Sequence, residues 1–184
     1  MKIYLAGPEV FLSNAVAKGE ELKALCTTHG LIGLFPLDKE ITSVDHGSYA
    51  MADAIRTGNM ELIKSCDGIL ANMTAFRGPS MDVGTAYEMG VGAALGKVVV
   101  GYLKGEKLGY AEKVKKAHKV ERREDGYLRD EEGMSVEEFW ELESEEGLVD
   151  NLMISCGVER LCRSEEEGIK ALAEILASRK EGKR

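Results

Sequence analysis

The sequence predicts an α/β fold: a doubly wound, flavodoxin- or Rossmann-like open sheet of about five parallel strands with helices on both faces. Short β-rich runs alternate with stretches of helical periodicity, an order typical of strand–helix–strand units. The length of 184 residues suits one domain with a single core. A hydrophobic fraction of 44% and a charged fraction of 30% are those of an ordinary globular protein.

The sheet-forming elements follow one another from the first residues of the chain. Residues 2–6 form a β-rich run that ends at Gly7-Pro8, which predicts a first strand and a turn. Apolar residues at helical spacing predict a helix over 14–29, which Gly30 stops. The same patterns predict, in order, a strand at 31–35, a helix at 50–65, a strand at 67–72, a helix at 81–95 with Ser80 as its N-cap, and a nearly all-apolar strand at 97–103.

The stretch 104–146 differs from the rest, because it is rich in Lys, Arg, Asp and Glu and has no long core pattern. We expect a charged helix near 110–121, a turn at Asp125-Gly126 and an irregular acidic piece. Two interpretations stay open for this insert: a lid or oligomer contact, or a solvated charged excursion. A short helix at 148–156, a strand at 158–161, a helix at 164–178 and a frayed tail complete a single domain spanning 1–184.

Charge and composition exclude several classes of function. The formal net charge of −8 repels phosphate backbones, so we expect small-molecule substrates and no nucleic acid partner. The longest apolar run, residues 89–103, is shorter than the roughly 20 residues of a spanning helix, and no signal peptide is evident, so we expect a cytoplasmic protein without membrane contact. The four cysteines match no zinc pattern, and we expect them to be buried.

The carboxyl ends of the strands are where open parallel sheets bind ligands, and residues 6–11, 38–49 and 73–82 should lie there. The glycines of residues 84–92 fall inside a predicted helix, which does not fit a dinucleotide fingerprint and favours tight helix packing. Glu88 stands among them, either as a solvent-facing acid or as a carboxylate on a half-buried functional face.

Five motifs occur in order over residues 1 to about 156. They are Tyr4-Leu-Ala-Gly7, Phe35-Pro-Leu-Asp38, Cys66-Asp67-Gly-Ile, Asp82-Val-Gly-Thr-Ala-Tyr-Glu88-Met-Gly and Asp150-Asn151-Leu-Met153. Together they resemble the nucleoside 2-deoxyribosyltransferase family. The spacing from Asp82 to Glu88, with the later Asn-Leu-Met, is the most specific part of the resemblance.

The resemblance implies that Glu88 attacks the anomeric carbon of a 2'-deoxyribonucleoside, releases the base and passes the sugar to a second free nucleobase. It implies that Tyr4 orients Glu88, that Asp67 lies near the base and relays its proton, and that Asp82 holds the 5'-hydroxyl. Asn151 is expected from a neighbouring subunit, which implies a homo-oligomer with shared active sites. The substrate-binding set is completed by Gly7, Phe11, Asp38 and Glu40, of which Phe11 and Glu40 are expected to line the base pocket. No metal or organic cofactor is implied.

Two other functions are weighed against this one. The related 2'-deoxynucleoside 5'-monophosphate N-hydrolases need hydroxyl or cationic donors at their phosphate site, whereas Asp82 is an anion that repels phosphate. A non-catalytic nucleotide-sensing module is compatible with the same fold. The joint presence of Tyr4, Asp67, Asp82, Glu88 and Asn151 favours the enzyme.

Overall fold

A five-stranded sheet forms the centre of the protein, which we describe from a computed structural model over residues 1–38, 45–141 and 146–182. Its strands are β1 (Lys2–Ala6), β2 (Ile32–Leu34), β3 (Gly68–Asn72), β4 (Val98–Tyr102) and β7 (Arg160–Cys162). All neighbours are parallel, in the order β2-β1-β3-β4-β7. The predicted fold class is therefore confirmed.

Helices cover both faces of the sheet, and this agrees with the burial of every residue of β3 and β4. Helices α1 (Ala15–Thr28) and α6 (Glu165–Glu181) pack on one face, where Leu22 and Leu172 join the side chains of β1, β3 and β4. Helices α2 (Tyr49–Ser65) and α3 (Val83–Ala94) pack on the other face through Ile63 and Met89.

The chain reverses direction across the sheet at β1. It moves from β1 outward to β2 and then returns to β3 on the other side of β1. The loops after these strands diverge at such a point, so a crevice opens at their carboxyl ends. Short 3-10 turns at Pro8–Phe11 and Pro36–Asp38, together with the start of α3, border this crevice.

Helix α3 fits closely on the sheet because a glycine faces β3. A Cβ atom on Gly92 would lie 2.2 Å from Cδ1 of Ile69, so any larger residue would force the buried Ile69 side chain to shift. Gly90, on the same helix, has open space where its Cβ would stand. The predicted N-cap of α3 is wrong: Asp82 caps the helix by accepting a hydrogen bond from the Thr85 amide, whereas Ser80 donates to Asp150.

The charged insert contains more regular structure than we predicted. Its helix α4 (Tyr110–Ala117) ends earlier than expected and leads into an antiparallel hairpin, β5 (Val120–Arg122) and β6 (Leu128–Asp130). The helix predicted at 148–156 is only α5 (Leu152–Ser155). Helix α6 begins after the predicted cap Ser164 and continues to Glu181, past the point where we expected fraying.

Two further expectations concern the burial of the cysteines and membrane-spanning helices. Cys26, Cys66 and Cys162 are buried as expected, but Cys156 is exposed, because it lies at the end of the short α5. No helix in the described part of the chain combines the length and apolar character needed to cross a membrane.

Candidate active site

A cavity of about 420 Å³ occupies the crevice at the carboxyl ends of β1 and β2, between helices α2 and α3, and we call it the Glu88 cavity. Its volume lies in the range of small-molecule binding sites. Most of its walls are apolar, and its polar side chains gather on one side. The described lining residues are Gly7, Val10, Phe11, Pro36, Leu37, Ala54, Ile55, Gly58, Asn59, Leu62, Asp82, Gly84, Thr85 and Glu88.

The Glu88 carboxylate is held from two directions. Tyr4, in the middle of β1, donates its hydroxyl to Glu88 Oε1 at 2.6 Å. Asn59, on α2, donates its amide to the same oxygen at 3.3 Å. Glu88 is half-buried, so of the two interpretations open for it, the structure excludes the simple solvent-facing acid. Both donors reach Oε1, and no described side chain donates to Oε2.

The environment of Glu88 raises the pKa of its carboxyl group to about 7. Burial is the main cause, because it penalises the charged form. The hydrogen bond from Tyr4 opposes this increase, the negative charge of Asp82 adds to it, and the hydrogen bond from Asn59 opposes it again. A carboxyl with this pKa exchanges its proton near neutral pH, which is typical of groups that take part in catalysis.

Tyr4 is a hydrogen-bond donor to Glu88 that keeps its own proton. Its side chain is 0% exposed. Burial and the neighbouring Glu88 carboxylate raise the pKa of the Tyr4 hydroxyl well above its ordinary value, so the hydroxyl keeps its proton. Tyr4 lies behind Glu88, outside the described lining of the cavity, and is therefore a positioning residue.

Asp82 borders the cavity at the N-terminus of α3. Its Oδ2 atom accepts hydrogen bonds from the backbone amide and the hydroxyl of Thr85, both at 2.8 Å. This capping fixes the orientation of the carboxylate about one and a half turns before Glu88 on the same helix. No described group donates a hydrogen bond to the second oxygen, Oδ1.

An aromatic stack involves Phe11, one of the residues that line the cavity. The rings of Phe11 and Phe76 lie 5.6 Å apart and nearly parallel, at 10°. The Arg77 guanidinium stands 4.6 Å from the centre of the Phe76 ring and 5.2 Å from that of Phe11. Phe11 remains 58% exposed, so it offers an apolar surface of the kind that flat heterocycles contact.

Two acids expected at the substrate are not brought to this cavity. Asp67 directly precedes β3, at the amino end of the sheet, and its carboxylate accepts a hydrogen bond from the Lys2 backbone amide at 2.7 Å. Asp38 uses one oxygen for Lys23 at 2.7 Å and the other for the Phe35 amide at 2.8 Å. Asp67 therefore links the starts of β3 and β1, and Asp38 holds the turn after β2, so neither is among the lining residues where we expected it.

The other predicted residues have different outcomes. Gly7 and Phe11 line the cavity, and their contacts with a substrate stay a prediction. Asn151 caps α5, donates to Glu137 at 2.6 Å and lies outside the cavity of its own chain, so its predicted role in a neighbouring subunit stays a prediction. Glu40 lies outside the described residues.

Asn59 is a site residue that the sequence reasoning missed. It stands four residues after Ile55, which lines the cavity, and four before Ile63, which is buried in the core, so the three share one side of α2. A single amide on an otherwise apolar helical stripe is the signal that identifies it. In the described part of the chain, no group of three or more His, Cys, Asp or Glu side chains is arranged to hold a metal ion.

Comparison with known proteins places these features in one family. A family model described as nucleoside 2-deoxyribosyltransferase matches residues 3–153. A 2-desoxiribosyltransferase from Leishmania mexicana is 32% identical in sequence, with a TM-score of 0.70 over 94% of this chain and 97% of that one. A conserved protein from Enterococcus faecalis V583 shares the fold at 21% identity, with a TM-score of 0.59 over 97% and 98% of the two chains.

A curated relative from Schizosaccharomyces pombe, an uncharacterized protein, is 36% identical over 124 residues. That match covers 64% of this chain and 56% of the length of the relative. The family model covers most of the chain, and the Leishmania mexicana structure covers nearly all of it. The chain therefore belongs to the nucleoside 2-deoxyribosyltransferase family.

Proposed function

We propose that the protein transfers the 2-deoxyribosyl group of a 2'-deoxyribonucleoside to a second nucleobase, with Glu88 as the nucleophile. The observation that carries this proposal is the Glu88 carboxylate, which borders an apolar cavity and receives both of its hydrogen bonds on one oxygen. A carboxylate beside the anomeric carbon can form a covalent bond to it and stabilises an oxocarbenium-like transition state. Family membership supports a nucleoside as the substrate.

The reaction has two displacements. In the first, Oε2 of Glu88 bonds to the anomeric carbon while the N-glycosidic bond breaks, and the bonding pair goes to the base nitrogen, which takes a proton from solvent. In the second, a nitrogen of the incoming base bonds to the anomeric carbon, loses its proton to solvent and releases the Glu88 carboxylate. Two inversions give net retention of configuration.

We propose that residues near Glu88 in the cavity bind the sugar and the base of the substrate. We propose that Oδ1 of Asp82, to which no described group donates, accepts a hydrogen bond from the 5'-hydroxyl of the sugar. Phe11 offers its exposed ring to the face of the base, and Leu37 and Ile55 add apolar surface to the same cavity. Asn59 supports Glu88 from the α2 side.

An uncharged nucleoside suits this cavity better than a monophosphate. Its described lining contains two carboxylates, Asp82 and Glu88, and no Lys, Arg or His side chain. An anion entering it meets repulsion that a hydroxyl group does not. The N-hydrolysis of a deoxynucleoside monophosphate remains the second candidate, because Arg77 contacts the ring of Phe11, a lining residue, and offers a cation to a phosphate.

An exchange assay tests the proposal. The protein is incubated with deoxyinosine and adenine, and deoxyadenosine is measured by chromatography; parallel reactions use inosine or deoxyinosine monophosphate. The proposal is supported if base exchange occurs with deoxyinosine but not with inosine or deoxyinosine monophosphate. Cleavage of the monophosphate alone identifies the hydrolase, and an absence of turnover with every substrate favours the non-catalytic sensing module.

The nucleophile is tested separately by trapping the intermediate. Mass spectrometry of the protein after incubation with deoxyinosine should detect a deoxyribosyl adduct on the peptide that contains Glu88. Glu88→Gln should lose the adduct, whereas Glu166→Gln, at an exposed position of α6, should keep it. An adduct that persists in Glu88→Gln assigns the nucleophile elsewhere.

A further inference from the structure

A second cavity of about 410 Å³ lies between α4 and the loop of residues 73–82, and it shares no lining residue with the Glu88 cavity. One wall is formed by the loop, through Thr74 and Pro79, and another by Leu103, which follows β4. Lys113 and Lys116 of α4 complete it. We call it the lysine cavity. Its volume is again in the range of small-molecule sites, and the proposed transfer reaction makes no use of it.

The charged groups of the lysine cavity are mainly cationic. Three lysines, Lys104, Lys113 and Lys116, line it together with one acidic residue, Glu106. Lys104 is neutralised by Glu9 at 3.2 Å and Glu165 at 2.8 Å. With Lys104 paired, the two lysines of α4 stand against one lining carboxylate, that of Glu106, in a protein whose net charge is −8.

The ammonium group of Lys113 is largely buried, and its ion pair with Asp150 is a long one. Its side chain is only 12% exposed, and its ion-pair partner Asp150 lies at 3.7 Å, well beyond the length of a charge-assisted hydrogen bond. Asp150 is already engaged, because it accepts hydrogen bonds from the Ser80 hydroxyl and from the backbone amides of Met81 and Asn151.

The pKa of Lys113 reflects this shortage of negative charge. Burial lowers the pKa of its ammonium group, and the attraction of Asp150 opposes that decrease only in part. A second anion beside Lys113 supplies the missing compensation, so a negatively charged ligand gains more here than at an exposed lysine.

We propose that the lysine cavity binds a small organic phosphate, with Lys113 and Lys116 at the phosphate group. Lysine ammonium groups bind phosphate as point charges, and two of them match a dianion. Pro79, Leu103 and Leu108 provide the apolar surface for the organic part of the ligand. This site is separate from the Glu88 cavity, and its existence does not depend on the reaction proposed there.

Calorimetric titration of the full-length protein tests the proposal with three probes: adenosine 5'-monophosphate, inorganic phosphate and adenosine. Matched variants of α4 are Lys113→Gln and Lys116→Gln, with Lys115→Gln as the control. Lys115 carries the same charge on the same helix, but it pairs with Glu112 at 2.8 Å and does not line the cavity. Thermal unfolding establishes that each variant is folded, and the exposed Lys116 keeps the test valid if Lys113→Gln is unstable.

We expect adenosine monophosphate to bind the wild type and Lys115→Gln equally, and Lys113→Gln and Lys116→Gln about tenfold or more weakly, the loss of one charge-assisted contact. Inorganic phosphate should follow the same order with lower affinity, because it lacks the organic part. Equal affinity in all variants, or displacement of the monophosphate by adenosine, refutes the site. Equal affinity for both phosphates refutes the role of the apolar wall, and an absence of binding refutes the proposal as a whole.

Discussion

Replacing Tyr4 by phenylalanine removes one hydroxyl group and leaves the rest of the site in place. The ring of Tyr4 is buried in β1 among core side chains, and phenylalanine fills the same space. The change therefore tests a single interaction, the 2.6 Å hydrogen bond from Tyr4 to Oε1 of Glu88. That bond stabilises the charged form of Glu88, so its loss must raise the pKa of the carboxyl group further.

The size of the shift follows from the strength of the bond. A hydrogen bond to a charged group contributes about 1.5–3 kcal/mol, and one pKa unit corresponds to about 1.36 kcal/mol. The pKa of Glu88, raised to about 7 in the wild type, should therefore rise by roughly 1–2 further units in Tyr4→Phe. At neutral pH the ionised fraction of Glu88 then falls from about half to between about a tenth and a hundredth.

The assay is the pH dependence of kcat/KM for a deoxynucleoside. Because the ionised carboxylate is the proposed nucleophile, the rate should increase with pH through the pKa of Glu88, and in Tyr4→Phe this acidic limb should move to higher pH. Tyr102→Phe is the matched control, since Tyr102 is a buried tyrosine of β4 whose hydroxyl bonds to Glu9 at 2.9 Å. An acidic limb that stays in place in Tyr4→Phe refutes the reasoning.

Three further predictions concern the helices around the cavity and the subunit contact. Asn59→Leu should move the same acidic limb by only about 0.4–1 unit, because its 3.3 Å bond has the strength of an ordinary hydrogen bond. Gly92→Ala should destabilise the protein by about 1–3 kcal/mol through overpacking, whereas Gly90→Ala should stabilise it by about 0.5–1 kcal/mol. Urea unfolding measures both free energies, and equal effects of the two substitutions contradict the packing at Gly92. Glu88→Gln and Asn151→Ala should each be inactive, and refolding the two together should restore activity if Asn151 completes a neighbour's site; a mixture that stays inactive argues against shared sites.

The architecture of the sheet was predictable because local patterns coincide with the global fold. Apolar runs of strand length alternated with helical periodicity, and the rule that ligands bind at the carboxyl ends of parallel strands directed attention to residues 6–11 and 73–82. Gly7, Phe11 and Asp82 do border the cavity found there. These positions depend only on strand order and direction, which the alternation of elements determines.

Asp67 shows where a motif and the sheet geometry disagreed. The motif assigned Asp67 to the base, yet the residue opens β3, and five strand residues separate it from the carboxyl end, a distance of roughly 16 Å at strand spacing. Applying the carboxyl-end rule to Asp67 itself predicts that it lies away from the site. Asn59 was missed for the opposite reason, since it belongs to a helix and not to one of the loops that the rule selects.

The hairpin of the insert was not predicted, because the pairing of β5 and β6 does not depend on an alternation of apolar residues. Strands β5 and β6 contain one buried residue, Leu128, and Arg122 is fixed by polar contacts with Glu138 at 2.6 Å and with the Gly126 carbonyl at 2.7 Å. Such contacts leave no periodic hydrophobic signal. A composition of mixed charges is therefore compatible with both an ordered hairpin and a solvated loop.

The hydrogen bonds to Glu88 explain why a double displacement suits this site. A nucleophile in such a reaction must also leave, and a carboxylate leaves more readily when donors stabilise its charge. Tyr4 and Asn59 place their donors on Oε1, so they assist the departure of Glu88 in the second step without covering Oε2, the oxygen proposed to attack in the first. Burial opposes these donors by raising the pKa of the carboxyl group to about 7, which keeps Oε2 more basic than that of an exposed glutamate. Because Tyr4 is 84 residues from Glu88 and Asn59 is 29 residues away, this balance arises only when β1, α2 and α3 pack together.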